Sequence, residues 1–345
     1  MSYSRVAGRV LAWSVAAVML PMAAQAQDVT LRMSNWLPEG QTLRVQAVEP
    51  WIESVEKVTE GRVKIEMPPK VIGSVPAQFD VVVDGQADIA LWVNGYAPGR
   101  FVISEVFELP FISDDPEAYS ATMYEFYEKK VAQYGEYDGA HVLSLFSPGS
   151  GPIFNTVRPV EKITDVEGLK LRSPQPLVTQ ALELLGAVPI SKPVSELYEL
   201  ISSKVVDGTV LPMESVVSFK LDSLLPYGTA IPGGLYNTVL VLGINEDSWS
   251  RISEADRKAI MEVSGVAFAR AAGGAYKRSS ETARKKMVDD GMRFVTADEA
   301  FVAALKQKLT PIEQTWIDKA KQRGVEDPSA LLADLRKAAG AQAPD

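Results

Sequence analysis

The chain has 345 residues, 46% of them hydrophobic, with one histidine and no cysteine. That length and apolar content suffice for a large buried core, best divided into two lobes. The missing cysteines exclude disulfides, thiol nucleophiles and thiolate metal sites, and a net charge of −9 argues against nucleic-acid or anionic-lipid partners.

Residues 1–26 read as a signal peptide. Arg5 and Arg9 precede the apolar run from Val10 to Leu20, and Ala24-Gln25-Ala26 supplies a small-x-small cleavage site. The run is shorter than the ~20 residues of a membrane span, and no cysteine is available for a lipid anchor. Cleavage near Ala26 removes two arginines and no acid, which leaves −11 on the exported chain. An acidic body that binds an anion must then focus positive charge locally.

Val29 to Met33 alternates as a strand does, with Ser34-Asn35-Trp36 at its C-terminal end. Val45, Val48, Ile52, Val55 and Thr59 place a helix over 43–60, and Pro50 inside it predicts a kink or short break. Strand 63–67 follows. Gly73-Ser74-Val75-Pro76 opens helix 76–84, and strand 88–93 ends at Trp92 and Asn94-Gly95. This βαβαβ run predicts a mainly parallel sheet. Helix 116–134 is rich in aromatics, best read as packing, and His141 begins strand 141–146. Gly149-Ser150-Gly151-Pro152 is a crossover into a second lobe that opens with the strand at Ile153-Phe154-Asn155-Thr156.

A second βαβαβ run starts at Asp165. Leu169 to Arg172 reads as a strand stopped by Pro174 and Pro176, so Arg172 lies at its end, where open α/β sheets face a crevice. Helix 177–185, a buried strand at 187–190, helix 195–203 and strand 208–211 complete the run. The chain then crosses back through 227–237 to a strand at 238–244, apolar enough to be buried on both faces. Residues 253–289 contain no proline and predict one helix of ~37 residues, about 55 Å long, with a bend expected at Gly273-Gly274. Such a helix is long enough to act as a spine along both lobes. Helices 297–309 and 311–322 are expected to cover the second lobe, and 340–345 to be disordered.

Several short motifs occur in a fixed order: Glu167-Gly168-Leu169-Lys170-Leu171-Arg172, Leu185-Gly186-Ala187-Val188-Pro189, Glu196-Leu197-Tyr198 and Val206-Asp207-Gly208. Gly85 to Ala90, Leu109-Pro110-Phe111, Asn245 and Trp249 extend the set. Each piece alone is ordinary turn chemistry, but the ordered set resembles the solute-binding proteins of tripartite ATP-independent periplasmic (TRAP) transporters, the DctP family. The resemblance implies a two-lobed α/β periplasmic binding protein fold with a long spine helix spanning both lobes. Lobe I would comprise 27–149 plus 238–270, and lobe II 150–237 plus 271–345 with the C-terminal helices. It further implies a periplasmic protein, working as a monomer without cofactor, that passes a small organic acid to the membrane subunits of a TRAP permease.

In that family the arginine of Lys-x-Arg anchors the ligand carboxylate, which assigns the role to Arg172. A guanidinium is always charged, and its planar fork matches a carboxylate; the plain alternative is a surface arginine at a strand end. Sialic-acid-binding members carry a second arginine about twenty residues earlier, where this chain has Gly151-Pro152-Ile153-Phe154. Many members also place an asparagine where this chain has Leu211. A pocket with one cation and added apolar surface should prefer a monocarboxylate with an apolar or aromatic body.

Trp36 and Trp92 end first-lobe strands, where an indole either stacks on the ligand or packs in the core. Phe154, Met213, Glu214 and Tyr236 are further candidates. Glu214 is awkward, since a carboxylate repels an anionic ligand unless it accepts a donor. Ser74 either donates to an anion or merely caps a helix. Catalytic readings fail on inventory: one histidine, no cysteine, and no Gly-x-Ser-x-Gly, Walker or dinucleotide motif. The remaining alternatives are a binding component of another importer, a sensor, or an exported enzyme with a cleft.

Overall fold

The computed structural model describes residues 28–340, and the segment read as a signal peptide lies outside them. The strands are β1 (Val29–Ser34), β2 (Val63–Glu66), β3 (Ile89–Val93), β4 (Ala140–Phe146), β5 (Ile153–Asn155), β6 (Lys170–Ser173), β7 (Val188–Ser191), β8 (Gly208–Val210), β9 (Tyr227–Ala230), β10 (Leu240–Asn245) and β11 (Arg293–Thr296). They build two mixed sheets, ordered β2-β1-β3-β10-β4 in the first lobe and β11-β9-β5-β8-β6-β7 in the second. The βα alternation makes β1, β2 and β3 parallel, while β10 returns from the second lobe and runs antiparallel between β3 and β4. All six of its residues are buried, as its apolar run predicts. In the second lobe β6 lies parallel to β7 and β8, and β5 runs antiparallel to β8 and β9. The strand expected to be buried at 187–190 is instead the sheet edge: Val188 is 49% exposed. Pro189, which cannot donate to a ladder, is tolerated at such an edge.

The first helices are α1 (Glu49–Val58), α2 (Gln78–Val83), α3 (Pro116–Phe126), α4 (Pro176–Leu184), α5 (Leu197–Ser202) and α6 (Met213–Ser218). They are followed by α7 (Glu246–Ser250), α8 (Glu254–Val263), α9 (Gly265–Asp289), α10 (Glu299–Gln322) and α11 (Pro328–Ala338). No break occurs at Pro50: residues 42–58 are helical throughout, and the irregularity lies in the turn just before it. A wide π turn at Arg44–Val48 runs directly into α1, and Pro50 lies just past it, where the locally widened ladder accommodates its missing N–H.

The spine is α8 and α9 joined at Ser264, and its interruption is not at Gly273-Gly274. Ser264 departs from helical geometry and Gly265 has φ +49°, a conformation that glycine adopts without strain. Two side chains fasten this break to the first lobe: the Trp51 indole donates to Ser264 Oγ at 3.0 Å, and Ser144 Oγ donates to the Gly265 carbonyl at 2.8 Å. Gly273 serves packing instead. A Cβ there would lie 2.2 Å from the Pro116 carbonyl, so only glycine lets α3 approach this closely. Phe268, Ala272 and Tyr276 on α9 join the first-lobe core, whereas Ala283 and Met287 join the second. One helix thus bridges both cores.

Pro311 does not divide the C-terminal helix, which runs unbroken through it as α10. Nor do these helices cover the second lobe alone. Gln180 on α4 donates to Thr315 at 3.0 Å, but the Trp316 indole donates to Val102 at 3.1 Å and Lys130 pairs with Asp334 on α11 at 3.2 Å. Among the described residues no helix is long and apolar enough to cross a membrane.

Candidate functional site

The strand order of each lobe brings the C-terminal ends of β1, β3, β6 and β8 to one seam, and a cavity of about 50 Å³ lies along it. Arg172 dominates this cavity. Pro174 and Pro176 end β6 just beyond it, and the side chain is 1% exposed. Its Nε donates to the Lys192 carbonyl at 2.6 Å and its Nη2 to the Tyr96 hydroxyl at 3.3 Å. Nη1 has no partner. A buried charged donor left without a protein partner costs on the order of 1–3 kcal/mol or more, so the cavity favours any anion that can reach it.

A second unmatched donor lies in the same lining. Tyr236 is 2% exposed and its hydroxyl has no partner. Burial pushes that hydroxyl above the ordinary tyrosine range, with the Arg172 charge acting in the opposite direction, so it stays protonated near neutrality. Gly151 leaves room for it: a Cβ there would lie 2.3 Å from the Tyr236 oxygen.

The rest of the lining is largely apolar. Trp36 and Leu37 enter from the loop after β1, Val93 from β3, and Leu211, Pro212 and Phe219 from around α6. The Trp36 indole is fixed by donating to the Leu91 carbonyl at 2.9 Å. Gln41, Ser215, Thr238 and Tyr276 add neutral polar groups, and Arg172 is the one charged residue of the lining. No group of three or more acids or histidines is arranged to hold a metal among the described residues.

Comparison with known proteins follows this geometry. Residues 33–319 match the family described as bacterial extracellular solute-binding protein, family 7, or DctP. The chain belongs to the DctP family. It is 32% identical to the outer membrane transporter protein TsaT of Comamonas testosteroni, over 90% of this chain and 92% of that one. Among solved structures it is similar to a TRAP periplasmic solute-binding protein of Bordetella bronchiseptica with bound (R)- and (S)-mandelate. That likeness has a TM-score of 0.87 and 36% identity, over 90% of this chain and 99% of that one. A TRAP solute-binding protein of Rhodoferax ferrireducens T118 with copurified benzoate gives 0.85 and 28%, over 90% and 98%. DctP proteins are TRAP solute-binding proteins and not enzymes, and carboxylates are what they bind.

Within this DctP chain the sequence-derived candidates separate. Arg172, Trp36, Leu211 and Tyr236 line the cavity. Trp92 does not. Strand alternation turns it to the face opposite Val93, where it packs edge-on against Phe79 with ring centroids 5.2 Å apart. Phe154 is likewise turned into the second-lobe core, 6.0 Å from Phe294. Met213 is half-buried against the same core. Ser74 is exposed, and its hydroxyl makes no capping bond. Glu214 sits behind the lining, where its carboxylate accepts from Ser218, from Ser215 at 3.1 Å and from Gln41 at 3.5 Å. That resolves its awkwardness: donors surround it. His141 packs as expected, stacked on Trp249 with centroids 4.5 Å apart.

Sequence reasoning missed Tyr96, Gln41, Ser215 and Tyr276. Tyr96 was within reach, standing three residues past the end of β3, at the same edge as Trp36. Gln41 has a turn signature, since its Oε1 accepts the Leu43 and Arg44 amides at 2.7 and 3.2 Å. Tyr276 shares its long helix with one other aromatic, Phe268, and no local pattern tells which of the two reaches the cavity.

Proposed function

We propose that this DctP protein captures a monocarboxylate with an aromatic or otherwise apolar body, and that it presents the closed complex to a TRAP permease. The observation that carries this reading is the pair of unmatched donors, Arg172 Nη1 and the Tyr236 hydroxyl, buried in one otherwise neutral cavity. A carboxylate accepts both, and a charge-assisted bond of this kind is worth ~1.5–3 kcal/mol net. A second carboxylate would find no cation in the lining, and a buried unpaired charge costs several kcal/mol. Apolar lining around a planar acid supplies the remaining affinity through burial. Mandelate and benzoate in structurally similar proteins support the aromatic body.

Because residues of both lobes line the cavity, a ligand there contacts both and favours the closed arrangement. The permease partnership, export with cleavage near Ala26, action as a monomer, and the lobe boundaries given above belong to the same proposal. Native mass spectrometry of the protein purified without refolding identifies the ligand. Calorimetric titration then compares benzoate and phenylacetate with succinate and glucuronate. Binding of the aromatic acids, lost in Arg172→Ala while the circular dichroism spectrum is kept, is the expected result. A response to succinate or glucuronate alone would overturn the reading.

A further inference from the structure

Behind the cavity wall, Glu214 sets the direction of hydrogen bonding. Its carboxylate accepts from Ser218 and, at 3.1 Å, from Ser215, so the Ser215 proton points away from the cavity that Ser215 lines. Gln41 spends Nε2 on Glu214 at 3.5 Å and on the Tyr276 oxygen at 3.3 Å. Its Oε1 is taken by the Leu43 and Arg44 amides. Gln41 therefore has little left to offer a ligand. Tyr276 is in the opposite position: its oxygen accepts from Gln41, and its own proton is donated to no group among the described residues. Burial, reinforced by the Glu214 charge, pushes its hydroxyl upward, so it remains a donor near neutrality. On this side of the cavity the Glu214 network thus leaves Ser215 Oγ as an acceptor and the Tyr276 O–H as a donor.

We propose that Ser215 and Tyr276 form a second polar subsite for one neutral ligand hydroxyl, so that the site selects hydroxylated aromatic monocarboxylates over their deoxy counterparts. A hydroxyl both donates and accepts, which matches the pair. An ammonium cannot accept from Tyr276, a methoxy group cannot donate to Ser215, and a carboxylate would face Glu214. A site built to hydrogen-bond a ligand group discriminates against analogues lacking it, because its own buried groups are then left unpaired. This inference rests on the aromatic monocarboxylate reading above, and the test separates the two.

Calorimetry compares benzoate with 3- and 4-hydroxybenzoate and with their methoxy analogues, and phenylacetate with mandelate. The proteins are the unmodified chain, Tyr276→Phe and Ser215→Ala, each checked for an unchanged melting temperature and circular dichroism spectrum. At least one hydroxylated acid is expected to bind about tenfold or more tightly than its deoxy partner, a difference of ~1.4 kcal/mol. Tyr276→Phe should reduce that ratio to about threefold or less. Should every deoxy acid bind within threefold of its partner, or should the preference survive both substitutions, the subsite is refuted and the monocarboxylate reading stands. If none of the acids binds, both fail together.

Discussion

The Tyr96 hydroxyl oxygen receives Arg172 Nη2 at 3.3 Å and the Val194 amide at 3.0 Å, so one first-lobe side chain holds two groups of the second lobe. The contact exists because Gly95 lacks a side chain: a Cβ there would lie 2.3 Å from the Gln175 Cβ. The guanidinium is therefore aimed by lobe closure as well as by its own strand.

Tyr96→Phe keeps the ring and removes the acceptor. Two donors lose a partner, each worth about 1 kcal/mol, so ligand affinity should fall by roughly tenfold or more. Small-angle scattering should show a smaller ligand-induced compaction at a given ligand concentration. Unchanged affinity together with unchanged compaction would mean that the contact is incidental.

Gly151→Ala tests the space reserved for Tyr236. The added methyl would lie 2.3 Å from the phenol oxygen, so the ring must shift within a packed lining. Carboxylate affinity is expected to drop at least ~tenfold by calorimetry, with a smaller change in melting temperature than a core truncation produces. Wild-type affinity in this variant would remove Tyr236 from the carboxylate cradle.

Glu108 ties stability to pH. It is buried, and its carboxyl accepts the Val239 amide of the returning crossover at 3.3 Å. Burial pushes its carboxyl well above the usual range, and the neighbouring Glu105 adds to this. With the folded pKa above the unfolded one, its favourable contribution is complete below about pH 4.3. It is lost as pH rises from there through the folded value, because only the unfolded chain then gains by ionising. Glu108→Gln keeps an acceptor for Val239 and should raise the melting temperature at pH 7, with little effect at pH 4. Each unit of displaced pKa corresponds to ~1.4 kcal/mol. Equal melting-temperature changes at both pH values would contradict the assignment.

Arg172→Lys asks whether the fork matters beyond the charge. A lysine keeps the cation but cannot hold Lys192, Tyr96 and a carboxylate in one plane. Affinity should fall by about tenfold or more with the fold retained, and recovery of full affinity would reduce the role of Arg172 to a point charge.

Much of the architecture could be read from the chain. Proline stops placed the end of β6, alternation placed β1 and β2, and the continuous apolar run of β10 announced a strand buried on both faces. The errors share a cause. The strand at Val188 looked central because its residues are apolar, yet whether a strand is flanked on one side or two depends on neighbours far along the chain. The helix break fell at Ser264-Gly265 and not at Gly273-Gly274, because Trp51 and Ser144 fasten the first pair while the Pro116 carbonyl packs against Gly273.

By itself the sequence determined an α/β chain of two βα lobes with crossing strands, and it set an arginine at a strand end in an acidic body lacking thiols. These follow from local periodicity, turn chemistry and composition, which act over a few residues. Only the tertiary structure decided which aromatic side chains face the cavity: Trp36, Tyr96, Phe219, Tyr236 and Tyr276 do, whereas Trp92 and Phe154 do not. It also decided that Glu214 is turned away and occupied. The bonds responsible join residues 76 and 235 positions apart, Tyr96 to Arg172 and Gln41 to Tyr276. No local pattern encodes such a pairing, because it exists only once two sheets and the helix between them have packed together.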